Sequence, residues 1–312
     1  MVGASAAETS AKMGLTVFSP SGVLPQAAPL RLALRRLREQ GFAARADAGA
    51  LARRQRFAGS DEQRLAAIHR VAEEAPEIAM ATRGGYGLTR LLGRIDWKKL
   101  ARSVSARGTR WVGLSDFTAL QLGLLAHSGA VSWAGPCAVE GFGRSESDGG
   151  LDDVTAACFG EAMRGELEAV GFRTEAGFDG LDVRGTLWGN NLTLLCSLLG
   201  TPHLPRIKGG VLFLEDVNEH PYRVERMLLQ LLQAGVLGAQ KAVVLGQFDA
   251  WTPSPLDRGY NLKAMVAHLR SATRVPILTG LPFGHVPTKV TLPIGARVNL
   301  AVQGRQAFIG WA

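Results

Sequence analysis

The stretch IAMATRGGYGLTRLL, residues 78–92, runs from an apolar strand through a glycine-rich turn into a short helical segment. The same alternation fills the first half of the chain. Strand patterns lie at 15–18, 78–81 and 110–114, and helix patterns lie at 30–39, 60–74 and 117–127. Such alternation predicts a parallel sheet covered by helices. Binding sites of open parallel sheets form at the carboxyl ends of the strands, where residues 83–87 and Ser115 both lie.

The second half of the chain has a different pattern. Strand patterns lie at 181–187, 211–214, 242–248 and 275–278, followed by alternating strands at 289–292 and 296–309, with helices at 190–199, 222–234 and 261–272. We therefore expect a smaller mixed β domain there. The predicted organisation is a disordered leader at 1–13, an α/β domain at 14–150, a connection at 151–180 and a second domain at 181–312.

Composition excludes several classes of function. The 312 residues include 35 basic and 27 acidic ones, for a net charge of +8. The arginines are scattered over helical segments without a nucleic-acid motif, so we expect no nucleic-acid partner and read the charge as suited to an anionic ligand. The three cysteines show neither metal-ligand nor disulfide spacing. No apolar stretch is long enough for a membrane segment. Residues 1–12 lack the apolar central region of a signal peptide, so we expect a cytoplasmic protein.

Three residues supply the groups of a nucleophilic hydrolase. They are Ser115 in WVGLSDFT (111–118), Glu215 in GVLFLEDV (210–217) and His285 in GLPFGHVP (280–287). A serine, a histidine base and a carboxylate that orients the base form a catalytic triad. Their order matches α/β-hydrolases, but the G-x-S-x-G elbow would need glycine at Phe117. A different fold is therefore expected.

Each of these residues also has a plain structural alternative. Ser115 precedes a helix, where serine is a common N-cap, and His285 could be an idle loop residue. Asp216 competes with Glu215, because strand alternation predicts that the two carboxylates point to opposite faces. In the functional reading, the N–H groups of Gly85 and Asp116 would hold an oxyanion.

Four motifs in this order resemble the serine LD-carboxypeptidase family, also called muramoyltetrapeptide carboxypeptidases. They are RGGYG (83–87), GLSD followed by TAL (113–120), the ED pair at 215–216 and GH at 284–285. The resemblance implies a flavodoxin-like first domain, a barrel-like second domain, Ser115, Glu215 and His285 as the triad, and no cofactor. One stretch departs from the family: Trp188 precedes Gly189 and Asn190 where Gly-Gly-Asn is expected, a difference that we expect to affect the substrate cleft.

The resemblance implies a murein tetrapeptide as substrate, with terminal D-alanine released. Arg83, Tyr86 and Trp188 are the candidate substrate-binding residues, Arg83 for the terminal carboxylate. A microcin-immunity branch of the same family is the nearer alternative, with Trp188 stacking on a nucleobase. A non-catalytic ligand-binding module is the farther one. We also expect a homodimer, and a fragment ending near residue 150 that folds without activity.

Overall fold

The computed structural model describes residues 12–311. In these residues thirteen strands form two sheets, and there are nine α-helices. Residues 1–11 of the predicted leader lie outside the described residues. The strands are β1 (Gly14–Phe18), β2 (Ala43–Ala46), β3 (Ile78–Ala81), β4 (Arg110–Gly113), β5 (Ser132–Ala134), β6 (Ala169–Arg173), β7 (Asp182–Asn191), β8 (Val211–Val217), β9 (Ala242–Asp249), β10 (Ile277–Leu278), β11 (Leu292–Ile294), β12 (Arg297–Gln303) and β13 (Gln306–Gly310). The helices are α1 (Ala28–Glu39), α2 (Asp61–Glu74), α3 (Trp97–Arg107), α4 (Thr118–Ser128), α5 (Ala138–Gly141), α6 (Asp153–Arg164), α7 (Leu192–Ser197), α8 (Pro221–Gln233) and α9 (Leu262–Ala272).

The first sheet has the strand order β2-β1-β3-β4-β5, all parallel, with β11 added antiparallel to β5. The order of the five parallel strands is that of flavodoxin-like sheets, which confirms the predicted fold class. All four residues of β3 are buried, as an apolar strand covered on both faces requires. The turns that follow β3 and β4 therefore lie side by side at the carboxyl edge of the sheet.

Helix α2 begins with a capping box. The Ser60 side chain accepts the Gln63 N–H at 3.2 Å, and Gln63 Oε1 accepts the Ser60 N–H at 2.8 Å. Two of the otherwise unpaired backbone donors at the helix start are satisfied in this way. The helix then buries one side, which includes Ile68 and Val71, against the first sheet.

The second sheet is mixed, with the order β10-β9-β8-β7-β12-β13-β6. Strands β7 to β10 are parallel, whereas β12, β13 and β6 pair antiparallel. Within the described residues the two end strands, β10 and β6, do not pair with each other. Two strands differ from the predicted organisation: β6 lies in the segment predicted as a connection, and β11 belongs to the first sheet although it follows most of the second.

The two sheets share one of the two clusters of buried apolar side chains in the described residues. A single cluster of buried side chains contains Trp111 and Phe117 from the first unit and Leu187 and Phe213 from the second. Buried amides also cross the junction: Asn190 Nδ2 donates to Gln121 Oε1 at 2.9 Å. The carboxyl ends of β4 and β8 therefore meet across a packed interface. In residues 12–311, every helix is too short or too polar to cross a membrane.

Candidate active site

Ser115 lies in a strained turn between β4 and α4. Its φ is +66°, in the left-handed region that serine rarely adopts, at a cost of order 1–3 kcal/mol. The residue opens a short 3₁₀ turn, Ser115–Phe117, that leads directly into α4. Phe117 stands where an α/β-hydrolase has glycine, and its ring packs on Gly113, where a Cβ would lie 2.5 Å from Phe117 Cδ1. Ser115 is thus partly exposed on a strained turn, whose sequence differs from the G-x-S-x-G elbow of α/β-hydrolases.

The glycine turn that follows β3 packs directly on Ser115. A Cβ at Gly84 would lie 2.5 Å from Ser115 Cβ and 2.7 Å from its Oγ, so only glycine fits there. Gly85 has φ +87° and is itself held against Gly22. The N–H groups of Gly85 and Asp116 make no hydrogen bond to other described residues. Both are therefore free to donate to an oxygen of a bound substrate.

The Asp116 side chain, which sequence analysis did not consider, joins three turns around the serine. It is 2% exposed and its Oδ2 accepts from Ser21 Oγ at 2.7 Å and from the Leu88 N–H at 2.8 Å. Burial raises the pKa of the Asp116 carboxyl, although these hydrogen bonds oppose the shift. The adjacent buried Arg64 donates to Gly87 O at 2.9 Å and fixes the far end of the same glycine turn.

Glu215 and His285 are in direct contact. The carboxylate only accepts, so His285 Nδ1–H donates to Glu215 Oε2, at 2.7 Å, and Nε2 is left as the basic nitrogen. Glu215 is fully buried, and its other oxygen accepts from Asn191 Nδ2 at 3.0 Å. Burial lowers the pKa of His285, but the hydrogen bond and charge of Glu215 outweigh it, so the net pKa is raised.

Asp216 has a different role from its neighbour. Its Oδ2 accepts from the N–H and hydroxyl of Thr193 at 2.9 and 2.7 Å, at the start of α7, and it makes no hydrogen bond to His285. Burial, and then the charge of Glu215, raise the pKa of Asp216 despite the Thr193 hydroxyl. Both carboxylates also accept from Asn191 Nδ2, near the point where the β8–β9 register shifts between Leu214 and Asp216, so strand alternation does not separate them completely.

Trp188 is not available to a substrate, so its prediction as a binding residue is wrong. The side chain is fully buried, and its Nε1 donates to Gln240 Oε1 at 3.0 Å. The residues that follow Trp188 position Glu215 and do not line the cavity. Gly189 lets β7 approach β8, since a Cβ there would lie 2.0 Å from Phe213 O, and Asn191 then reaches Glu215.

The two remaining candidates lie on the glycine turn. Tyr86 is 48% exposed, with Arg56 5.8 Å from its ring centre. Arg83 is already engaged: its Nε lies 3.5 Å from Glu140 Oε1, and Nη1 donates to Val23 O at 3.3 Å. These contacts weaken the case for Arg83 as a carboxylate receptor.

A cavity of about 280 Å³ opens beside His285. Its walls include Leu114, Cys137, Glu140, Arg144, His285 and Lys289. Leu114, the residue before Ser115, lines this cavity together with His285, and Ser115 and His285 are not hydrogen-bonded to each other. Active sites often have long contacts of this kind before substrate binds. The Cys137 thiol is no rival nucleophile, because burial raises its pKa far above the ordinary value.

Residues 15–135 match the LD-carboxypeptidase N-terminal domain and residues 184–300 match the LD-carboxypeptidase C-terminal domain. The murein tetrapeptide carboxypeptidase of Pseudomonas aeruginosa is 32% identical over 259 residues, which cover 78% of this chain and 79% of the relative.

Solved structures give the same result. The muramoyltetrapeptide carboxypeptidase of Oxalobacter formigenes superposes with a TM-score of 0.86 at 42% identity, covering 95% of this chain and 98% of that one. MccF in complex with glutamyl sulfamoyl guanosine superposes with a TM-score of 0.83 and 97% coverage of each chain, but at 20% identity it shows the fold alone. The chain therefore belongs to the LD-carboxypeptidase family.

Proposed function

We propose that this LD-carboxypeptidase removes the terminal D-alanine from murein tetrapeptides, with Ser115, His285 and Glu215 as its catalytic triad. The observation that carries the proposal is the 2.7 Å contact between His285 and the fully buried Glu215, beside a cavity whose wall includes Leu114, the residue before Ser115. A buried carboxylate on Nδ1 fixes the tautomer in which Nε2 accepts a proton. The names of the Pseudomonas and Oxalobacter relatives support this choice of substrate.

The proposed reaction proceeds through an acyl-enzyme. His285 Nε2 takes the hydroxyl proton as Ser115 Oγ attacks the carbonyl carbon, and the N–H groups of Gly85 and Asp116 hold the resulting oxyanion. The C–N bond then breaks as His285 returns the proton to the leaving amine, which releases D-alanine. Water, deprotonated by the same histidine, hydrolyses the ester and frees the serine.

Mass spectrometry of a murein tetrapeptide incubated with the protein tests the proposal. We expect a tripeptide and free D-alanine, and we expect Ser115→Ala to lower turnover by about 10³-fold or more without loss of folding, because triad members act as a unit. A Ser128→Ala variant, at the distant end of α4, is the matched control and should keep its activity. Near-normal turnover by Ser115→Ala would refute the assignment of the nucleophile.

No observation favours the microcin-immunity alternative over this substrate. The residue assigned to nucleobase stacking, Trp188, is buried. A peptidyl-nucleotide conjugate belongs in the same assay as a competing substrate, and faster cleavage of it than of the tetrapeptide would reverse the choice.

Assembly and location are separate proposals. We propose a homodimer and a cytoplasmic location, to be checked by light scattering and by cell fractionation. The reaction depends on neither, because every residue assigned a step belongs to one chain.

A further inference from the structure

A buried lysine lines the cavity beside the base. Lys289 is only 4% exposed, and it shares the cavity wall with His285. Its Nζ donates to Pro287 O at 3.3 Å, and no carboxylate of the described residues lies within 4.0 Å of it. Burying an ammonium group without an anionic partner is costly, so an unpaired lysine on a cavity wall indicates a place for an anion.

The other charged groups of the cavity leave an excess of positive charge. Glu140 is the one acidic side chain among the residues that line the cavity. It lies 3.5 Å from the guanidinium of Arg83, which is not itself part of the wall. Arg144, also on the wall, forms no ion pair with the described residues and donates to the Asp148 carbonyl. Burial lowers the pKa of Lys289, with the charge of Glu140 opposing the shift, and a bound carboxylate would favour the charged form of the lysine.

The chemistry of the proposed reaction places a carboxylate in this cavity. His285 must protonate the leaving amine, so that nitrogen lies next to the imidazole when the C–N bond breaks. In a carboxypeptidase the leaving amine belongs to the terminal residue, whose carboxylate carbon is only two covalent bonds from the nitrogen. The carboxylate must therefore lie on the His285 side of the scissile bond, where the cavity is.

We propose that Lys289, with Arg144 beside it, binds the α-carboxylate of the terminal D-residue and thereby limits the enzyme to the end of a peptide. The inference rests on the proposed function. It replaces Arg83 as the carboxylate receptor, because Arg83 is already paired with Glu140. Recognition of the carboxylate also explains how an open cleft would exclude internal bonds, which present no charge at this position.

The decisive experiment compares tetrapeptide acid and tetrapeptide amide as substrates of wild type, Lys289→Met and Lys98→Met. Lys98 is exposed on α3 and controls for the loss of one positive charge. Wild type should prefer the acid by about 10- to 100-fold in kcat/KM, the range expected for one charge-assisted hydrogen bond. In Lys289→Met, kcat/KM should fall for the acid but not for the amide, so the preference is lost. Lys98→Met should keep the preference. Equal losses on acid and amide, or no loss, would overturn the proposal.

Two further variants keep the test valid if Lys289→Met misfolds or if the reaction is different. Arg144→Gln, on a less buried side chain, should also lower the preference for the acid. In the Ser115→Ala background, binding of the two peptides should show the same preference and the same dependence on Lys289. Acid-selective, Lys289-dependent binding without any cleavage by wild type would overturn the proposed reaction alone. Binding that does not distinguish acid from amide would overturn the carboxylate site.

Discussion

Glu215 and Asp216 show how neighbouring residues of one type are given different tasks. Both carboxylates accept from the Asn191 amide, but only Glu215 reaches His285, whereas Asp216 holds the first turn of α7 through Thr193. The geometry favours Glu215 as the residue that orients the proposed base. The two carboxylates differ in their hydrogen-bond partners, and these partners cannot be read from the strand pattern.

The pH dependence of activity should report on the Glu215–His285 pair. The base works when neutral, so kcat/KM should fall as pH drops through the pKa of His285, which Glu215 raises above its ordinary value. Glu215→Gln removes the charge and leaves burial, which lowers that pKa. We expect about a 10²- to 10⁴-fold loss of kcat and an acid limb displaced to lower pH. Asp216→Asn is the control, and we expect it to show a smaller loss of kcat and a smaller displacement of the acid limb. A larger displacement in Asp216→Asn than in Glu215→Gln would show that Asp216, not Glu215, orients His285.

The proposed triad residues could be picked out from the sequence because each follows a strand and a turn motif. Their supporting residues could not, since the contacts join distant parts of the chain. Ser21 and Asp116 are 95 positions apart, and Asn191 and Glu215 are 24 apart. A buried lysine such as Lys289 carries no pattern at all, because its meaning depends on which side chains surround it.

Among the helices and strands, buried apolar strands were predicted well, whereas a mostly exposed strand and one capped helix were missed. Strand β3 was predicted with its observed bounds, and α2 to within one residue. Strand β2 was missed because its AARA sequence has weak strand propensity and lies at a sheet edge. Helix α3 was missed although Asp96 caps its start and Gly108 ends it, signals that are typical of helix boundaries.

The packing of the glycine turn on the serine elbow gives a prediction at this scale. Gly84→Ala would place a methyl group 2.5 Å from Ser115 Cβ, so the two turns must separate. We expect kcat to fall by about 10²-fold, as displacements near 1 Å do in active sites, and unfolding free energy to fall by about 1–3 kcal/mol. Gly93→Ala is the matched control, because its Cβ would meet nothing within 4 Å. Kinetics and chemical denaturation measure both effects, and full activity in Gly84→Ala would contradict the assignment of this contact.

At the scale of the whole molecule, sequence patterns showed two units but not how closely they are joined. The buried cluster crosses between them, β11 adds to the first sheet from the far end of the chain, and Asn191 N–H donates to Thr118 Oγ1 at 3.2 Å. Pairing of strands far apart in sequence cannot be read from local periodicity. We therefore expect that the first unit does not fold independently, which differs from the expectation drawn from the sequence.

A fragment of residues 1–150 should not fold cooperatively. It lacks β11 and leaves the apolar surface that packs against Leu187 and Phe213 exposed to water. We expect a broad thermal transition by circular dichroism and strong binding of a hydrophobic dye, whereas the full chain should melt sharply. A sharp transition in the fragment would show that the shared core is dispensable for the first unit.

His285 lies between β10 of the second sheet and β11 of the first, so its position is held from both sides. Strand β11 begins at Leu292, after every strand of the second sheet except β12 and β13. A nascent chain would carry the proposed nucleophile early, but the proposed base would not be anchored until β11 pairs with β5. We therefore expect hydrolytic activity only once β11 has joined the first sheet.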